Sequence, residues 1–409
     1  MNMLTLSWAS IRHQGLTMLL NLLLLALGIA TVTVLLLFSQ QLEQRLSRDA
    51  QGIDLVVGSS GSPLQLILSS LYHIDMPTGN IPLGQVRWLK DHPLVEKAMP
   101  LALGDSYGGF RIVGTEPEYI RHYGGTLRLG RLWEHTMEAV LGAQAAARTG
   151  LAVGDSFAGV HGITSADNSG GHVHGDRPYT VVGVMEPTGT VLDRLILAPV
   201  ESVWLVHDHD GHDHERDHEH SHAPAGDERE ITALLVQYRS PLGAVSLPRM
   251  VNSRPTLQAA APARETTRLL SMLGIGLDAL RLFGWLLVFA AALGVFIALY
   301  NALQQNRYDY ALMRSLGASR QQLLIHTLLQ GILLALTGAV VGLLLGHVAA
   351  ELLGQAFAHT RQLAITGWIW LPQELWLLAL AVGVGLIAAV IPAIQAYRTD
   401  IATTLNRGE

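Results

Sequence analysis

Four apolar runs stand out of an otherwise mixed chain: residues 16–38, 282–300, 323–349 and 375–394. Each approaches or exceeds the roughly 20 apolar residues that a helix needs to cross a bilayer. Four membrane-spanning helices are the prediction. The first run is too long for a signal-peptide core, and no small-residue cleavage site follows it, so it reads as a retained anchor.

Between the first two runs lies a long segment, 39–276, with a different pattern. RIVGT (111–115), YTVVGVM (179–185) and ITALLVQY (231–238) are short β-branched runs and predict strands. AVLGAQAAARTGLAVGDSF (139–157) predicts a strand, an alanine-rich helix closed by Gly150, a turn at Gly154-Asp155, and another strand. The stretch 54–82 has no charge between Asp54 and Asp75. Its apolar part, 64–74, is too short to span. It could lie against a membrane, line a path for an apolar cargo, or belong to the core. The fold class that follows is an α-helical membrane protein with four transmembrane helices and a mixed α/β extracytoplasmic domain inserted between helices 1 and 2.

Charge sets the orientation. Only 15% of residues are charged and 49% are hydrophobic, as expected of membrane spans beside a soluble part. Arg307, Arg314 and Arg320 follow the second run, Arg398 and Arg407 follow the fourth, and Arg361 alone lies between the third and fourth. Arginine marks the cytoplasmic side. Both termini and the 301–322 loop are therefore expected inside, and 39–276 and 350–374 outside. Leu4, Trp8 and Ile11 suggest an interfacial helix over 1–15. The tail is 395–409. The net charge of −6 gives no reason to expect nucleic acid, because residues 207–222 supply most of it. The chain has no cysteine, hence no disulfide or thiolate metal site.

In the third run Gly338, Gly342 and Gly346 recur at four-residue steps, with Gly331 seven residues before the first. Small residues at this spacing let another helix approach closely. His326 and His347 lie near opposite ends of the same run and read as interfacial.

The segment 306–346, NRYDYALMRSLGASRQQLLIHTLLQGILLALTGAVVGLLLG, resembles the core of FtsX-like permeases, the membrane subunits of MacB-type (type VII) ABC transporters. The matching residues are Arg307, Asp309, Ala311, Leu312, Arg314, Leu316, Gly317, Ala318 and Ser319. The tail matches through Pro392, Ala393, Ala396, Asp400 and Leu405, and 140–157 and 179–189 resemble the family's extracytoplasmic core. Two positions depart: the family's usual Glu is Asp309 here, and Gln330 stands where a Glu is frequent.

The resemblance implies a permease that works as a dimer with a separate cytoplasmic ATPase in a bacterial inner membrane. It also implies a possible partner outside or in an outer membrane. Relatives export peptides or drugs, release lipoproteins, or regulate cell-wall hydrolases. ATP and Mg2+ would sit on the partner subunit. This chain has two lysines, Lys90 and Lys97, and neither follows a glycine as a phosphate-binding loop requires. No catalytic residue is expected here. Arg307, Asp309, Arg314, Gly317 and Ser319 are the candidate ATPase-coupling residues. Read as a helix, Tyr308, Leu312 and Leu316 share one face, and Arg307 and Arg314 nearly the opposite one.

The remaining chemistry is HDHDGHDHERDHEHSH, 207–222. It holds His207, His209, His212, His214, His218, His220 and His222 among six acids and one arginine. Imidazole with carboxylate suits zinc or another divalent ion. His161, His172 and His174 form a second group. The literal HExxH at His214–His218 lacks the apolar helical face of a metalloprotease. Metal capture, a solvated loop and a pH response all stay open. The alternatives to a transporting permease are a mechanical signalling scaffold that regulates an outer enzyme, and a membrane-anchored metal-binding module.

Overall fold

The computed structural model describes residues 15–161, 177–207, 229–305, 313–315, 317–361 and 365–398. In chain order the elements are α1 (Gly15–Asp49), β1 (Leu55–Ser59), α2 (Pro63–Ser70), β2 (Ile81–Pro82), α3 (Leu83–Val86), β3 (Val95–Tyr107), β4 (Phe110–Thr115) and α4 (Pro117–His122). Then come β5 (Leu127–Gly130), β6 (Glu138–Leu141), α5 (Ala143–Thr149), β7 (Ser156–Phe157), β8 (Val160–His161), β9 (Tyr179–Met185), β10 (Leu195–Pro199) and α6 (Val200–His207). The chain continues with β11 (Glu230–Ile231), β12 (Ala233–Tyr238), α7 (Leu242–Asn252), β13 (Leu257–Ala260), α8 (Pro262–Gln305), α9 (Arg320–Arg361) and α10 (Glu374–Arg398). They divide into two units, residues 43–272 and residues 1–42 with 273–409, and the division falls within α1 and α8.

The α/β unit is built on one mixed sheet of order β13-β1-β12-β3-β4-β10-β6-β9-β5, with β7 on β9 and β8 on β3. The long β3 changes partner midway. Its residues 95–101 pair with β12, and from Ala102 onward it pairs with β4. Two hydrophobic cores result. One gathers Leu55, Val57, Ile81, Val95, Val236 and Leu247; the other gathers Phe110, Ile112, Leu141, Tyr179, Val181 and Ile196. Helix α6 serves both, with Val203 in the first and Val206 in the second. All five residues of β10, LILAP, are buried between β4 and β6. Truncating Ile196 to alanine would leave a cavity there and cost about 2–5 kcal/mol.

RIVGT and YTVVGVM are strands as read, and Gly150 closes α5 in the left-handed conformation. ITALLVQY is not one strand. Thr232 interrupts it because its hydroxyl turns inward, accepting from Leu103 N at 2.9 Å and donating to Asn80 Oδ1 at 3.1 Å. Of the three readings of 64–74, core describes it best: Leu66, Ile67, Leu71 and Tyr72 are fully buried.

The helical unit contains α9, α10 and most of α1 and α8. All four are long and apolar enough to cross a membrane. They outrun the apolar stretches that announced them. Helix α8 has 44 residues, about 66 Å at 1.5 Å per residue, twice the hydrocarbon thickness. Hydrophobicity marks only the part suited to lipid, whereas helix propagation continues until a breaker stops it. Large apolar side chains face outward along these helices, among them Leu23, Phe289, Leu344 and Ile387.

Candidate functional site

The α/β unit holds the last two turns of α1 and the first three of α8, and a buried polar junction ties them together. Asp49, the last residue of α1, accepts from Arg194 Nη2 at 2.7 Å. The same nitrogen donates to Tyr72 O at 3.3 Å. The Tyr72 hydroxyl bonds to Thr266 Oγ1 of α8 at 2.6 Å and to Leu46 O of α1 at 3.3 Å. Tyr123 donates to Asp49 O at 2.7 Å. Thus the two helix ends, the segment after α2 and the start of β10 share one network.

Its second layer is equally buried. Arg111 of β4 donates to Ser69 O at 3.2 Å and Asp75 O at 2.9 Å, holding both sides of His73. His73 sits at φ +53 with Nε2 3.3 Å from the Tyr119 hydroxyl. Burial pushes its pKa well below the ordinary value, and the Arg111 and Arg194 charges push the same way. Burial lowers Arg111 to about 10 and raises the Tyr119 and Tyr123 phenols. A neutral imidazole, two phenols held protonated, the Arg111 guanidinium on two carbonyls and the Asp49–Arg194 pair cluster here, and His73 Nδ1 has no hydrogen-bond partner among the described residues. The sequence reading missed these residues. The only available signal was a carboxylate and arginines just past an apolar run, a pattern common to many helix ends.

In the helical unit the glycines of α9 face two different neighbours. A methyl at Gly338 would meet Leu25, one at Gly342 would lie 2.6 Å from Ala26 O, and one at Gly346 2.7 Å from Thr33 Cβ. All three lie against α1. Gly331 instead meets α10: a methyl there would lie 2.7 Å from both Ala389 Cβ and Gly385 O. Helix α1 also packs against α8, where Asn21 Nδ2 donates to Gly294 O at 3.0 Å. His326 and His347, near the two ends of the apolar run in α9, are both buried within the unit. His326 Nε2 lies 3.3 Å from Gln330 Nε2, one turn on, and His347 Nε2 lies 3.1 Å from Glu374 Oε2.

Of the coupling candidates, Arg307 and Asp309 lie outside the described residues, as do Tyr308, Leu312 and Leu316. The rest form a helix-to-helix joint. Residues 313–315 are helical. Gly317 N donates to Arg314 O at 3.1 Å and Ala318 N to Met313 O at 3.0 Å, with Gly317 at φ +101. This is a Schellman stop, whose left-handed residue favours glycine. Ser319 then caps α9 reciprocally: Gln322 N donates to its Oγ at 3.2 Å and its own N to Gln322 Oε1 at 2.8 Å. Met313 packs with Leu303, Leu323 and Ala396, the ends of α8, α9 and α10.

The metal candidates His172, His174, His209, His212, His214, His218, His220 and His222 lie outside the described residues. His161 ends β8 and His207 ends α6. Among the described residues no group of three or more potential ligands comes together. The anchor points of the two histidine segments are nonetheless neighbours. Arg177, just after the first segment, donates to Leu205 O of α6 at 3.0 Å. Trp204 Nε1 donates to Glu230 O at 2.5 Å, and the Arg229 guanidinium lies 5.0 Å from the Trp204 ring centre, closing the second segment at its base.

No curated protein matches the chain. Among the solved structures similar to it are two extracytoplasmic domains. One is the periplasmic region of MacB from Actinobacillus actinomycetemcomitans, at 13% identity and TM-score 0.34, covering 54% of this chain and 95% of that one. The other is the extracellular domain of the noncanonic ABC-type transporter YknZ from Gram-positive bacteria, at 13% identity and TM-score 0.30, covering 51% and 98%. The MacB-like periplasmic core domain matches residues 18–241, more than half of the chain, and the FtsX-like permease C-terminal model matches 281–401. In the same order as the strand-rich unit and the last three long helices, these matches show that the chain belongs to the FtsX-like, MacB-type family of ABC transporter permeases.

Proposed function

We propose that this chain is the permease subunit of an ATP-driven system and couples a separate cytoplasmic ATPase to movement of its α/β unit outside the inner membrane. The termini and the 301–322 segment lie on the cytoplasmic side, and the α/β unit is inserted between the first and second spans. The observation that carries the reading is the packing of Met313 on Leu303, Leu323 and Ala396. A push on the 301–322 segment would reach three spans at once. The junction around Asp49, Tyr72 and Arg194 would pass the motion of α1 and α8 into the sheet. ATP hydrolysis belongs to the partner chain. Two copies of the permease would work with two ATPases. The glycine face of α9 is spent on α1 within one chain, so the second copy would meet another surface.

The test is reconstitution with the ATPase. Co-purification and an ATPase rate that depends on this chain support the reading. Arg314→Glu should weaken docking while leaving the α/β unit folded. A chain active with no ATPase partner would overturn it. A rate that rises with cargo would mark transport, and one that rises with an outer enzyme would mark mechanical signalling.

A metal link is the second reading, supported by the Arg177–Leu205 bond that brings the anchor points of both histidine segments together. The segments 161–174 and 207–222 would then bind zinc, or another divalent ion, jointly and more tightly than either alone. Calorimetry with each segment deleted in turn tests this. Equal losses that simply add would argue against a joint site.

A further inference from the structure

The connection from α9 to α10 is held unusually firmly and carries Trp368 and Trp370, with Trp376 following in the first turn of α10. His347 Nδ1 lies 2.5 Å from Gly367 O, and His347 Nε2 lies 3.1 Å from Glu374 Oε2. Glu374 Oε1 also accepts from Leu371 N at 3.1 Å. Gln41 of α1 grips Thr366 at both ends, donating to its O at 2.8 Å and accepting from its N at 2.9 Å. Glu351 accepts from Gly367 N at 2.9 Å and Thr366 Oγ1 at 3.0 Å. Three helices thus fix one short segment. A connection serving only to join two helices has no need of five side-chain hydrogen bonds to its backbone.

What the segment displays is apolar. Trp370 lies against His347 at 4.1 Å between ring centres, with the rings tilted by 32°. Trp368 and Trp376 are 79% and 77% exposed, and Leu375 beside them is 69% exposed. Neither indole N–H of Trp368 or Trp376 finds an acceptor among the described residues. These rings continue directly into the outward-facing apolar surface of α10. An indole with an apolar body and an unused donor fits one environment best: the zone where acyl chains meet headgroup carbonyls and phosphates, which supply the acceptors. Water would leave the ring surface unburied, and hydrocarbon would leave the N–H unbonded.

We infer that residues 366–376 form a tryptophan anchor seated in the lipid headgroup zone, held at a set depth by His347, Glu351, Glu374 and Gln41. The inference rests on the reading of α1, α8, α9 and α10 as membrane spans. The anchor would set the depth of the outer ends of α9 and α10.

The test uses the full chain in lipid nanodiscs. Tryptophan emission is recorded with lipids brominated near the headgroup end or near the tail end of the acyl chain. The unlabelled chain is compared with Trp368→Phe/Trp376→Phe, and both unfolding midpoints are measured to verify folding. Because the chain has no cysteine, Ile387→Cys with a fluorescent label reports mid-span depth on α10. The expected result is strong headgroup-end quenching that is largely lost in the double variant, with the Ile387 label quenched by tail-end bromine. If Ile387 is deep but the double substitution leaves headgroup-end quenching unchanged, the anchor is overturned while the spans stand. A water-soluble quencher that reaches Trp368 and Trp376 freely would overturn the anchor in the same way. Shielding from both quenchers would mean that a second copy or partner covers them, which also overturns it. If the Ile387 label is not quenched by any lipid, the spanning reading itself fails.

Discussion

The carboxylate of Asp49, at the last residue of α1, is paired with the Arg194 guanidinium at 2.7 Å, far away in sequence and almost wholly out of water. Removing one partner of a buried pair leaves an uncompensated charge, which typically costs about 3–5 kcal/mol. Asp49→Ala should therefore destabilise the α/β unit by about that amount. Replacing both partners, Asp49→Leu with Arg194→Met, should recover most of the loss. A double-mutant cycle read by denaturant unfolding of the full chain measures this, and additive losses would mean that the pair does not act as one.

The junction also carries a pH dependence. His73 is held neutral in the folded state, its pKa lowered from 6.5 by burial and by two arginines, whereas the unfolded chain protonates it normally. Below 6.5 the unfolded state binds the extra proton, so the stability contributed by neutral His73 is complete above that pH and is lost as pH falls beneath it. His73→Asn, with a residue that tolerates positive φ, should reduce the pH dependence of the unfolding midpoint below pH 6.5, leaving the part contributed by His122, whose pKa burial also lowers. Glu138 does not interfere. Arg131 holds its carboxyl at about 2, below the ordinary 4.5, so its contribution is complete above 4.5 and fades only as pH drops toward 2.

The close approach of α9 to α1 predicts a sharp size limit. A Cβ at Gly342 would lie 2.6 Å from Ala26 O, and backbone cannot yield as a side chain can. Gly342→Leu should cost about 1–3 kcal/mol or more through overpacking. Gly383→Ala, where a methyl meets nothing within 4 Å, should be tolerated. Thermal unfolding in detergent of the two variants side by side checks the contrast.

Deleting residues 208–228 should leave folding intact, because the Trp204–Glu230 hydrogen bond and the Arg229–Trp204 stack close the base of that segment. Zinc heats measured by calorimetry should fall sharply, and the unfolding midpoint without metal should not move. A large drop in that midpoint would show that the segment contributes to the fold.

The four long helices, several strands and the helix stop at Gly150 could be read directly from the chain. Each depends on local periodicity or on one residue's backbone preference, information carried within about ten neighbours. The family could be read too, because the run from Arg307 to Ser319 encodes a helix stop at Gly317 and a helix start at Ser319, both local. Other features depended on residues that meet only after folding. Strand β3 was invisible because Pro100, Gly104 and Asp105 look like breakers; it exists because β12 and β4 pair with its two halves. That Gly331 serves α10 while Gly338, Gly342 and Gly346 serve α1 was decided by which helix lies against each, which spacing cannot specify. The junction of Asp49, Tyr72, Arg194 and Thr266 joins four distant stretches, and no single stretch carries its signature. Local sequence dictates which elements form; the burial of polar groups, which requires partners from elsewhere, decides which residues join them.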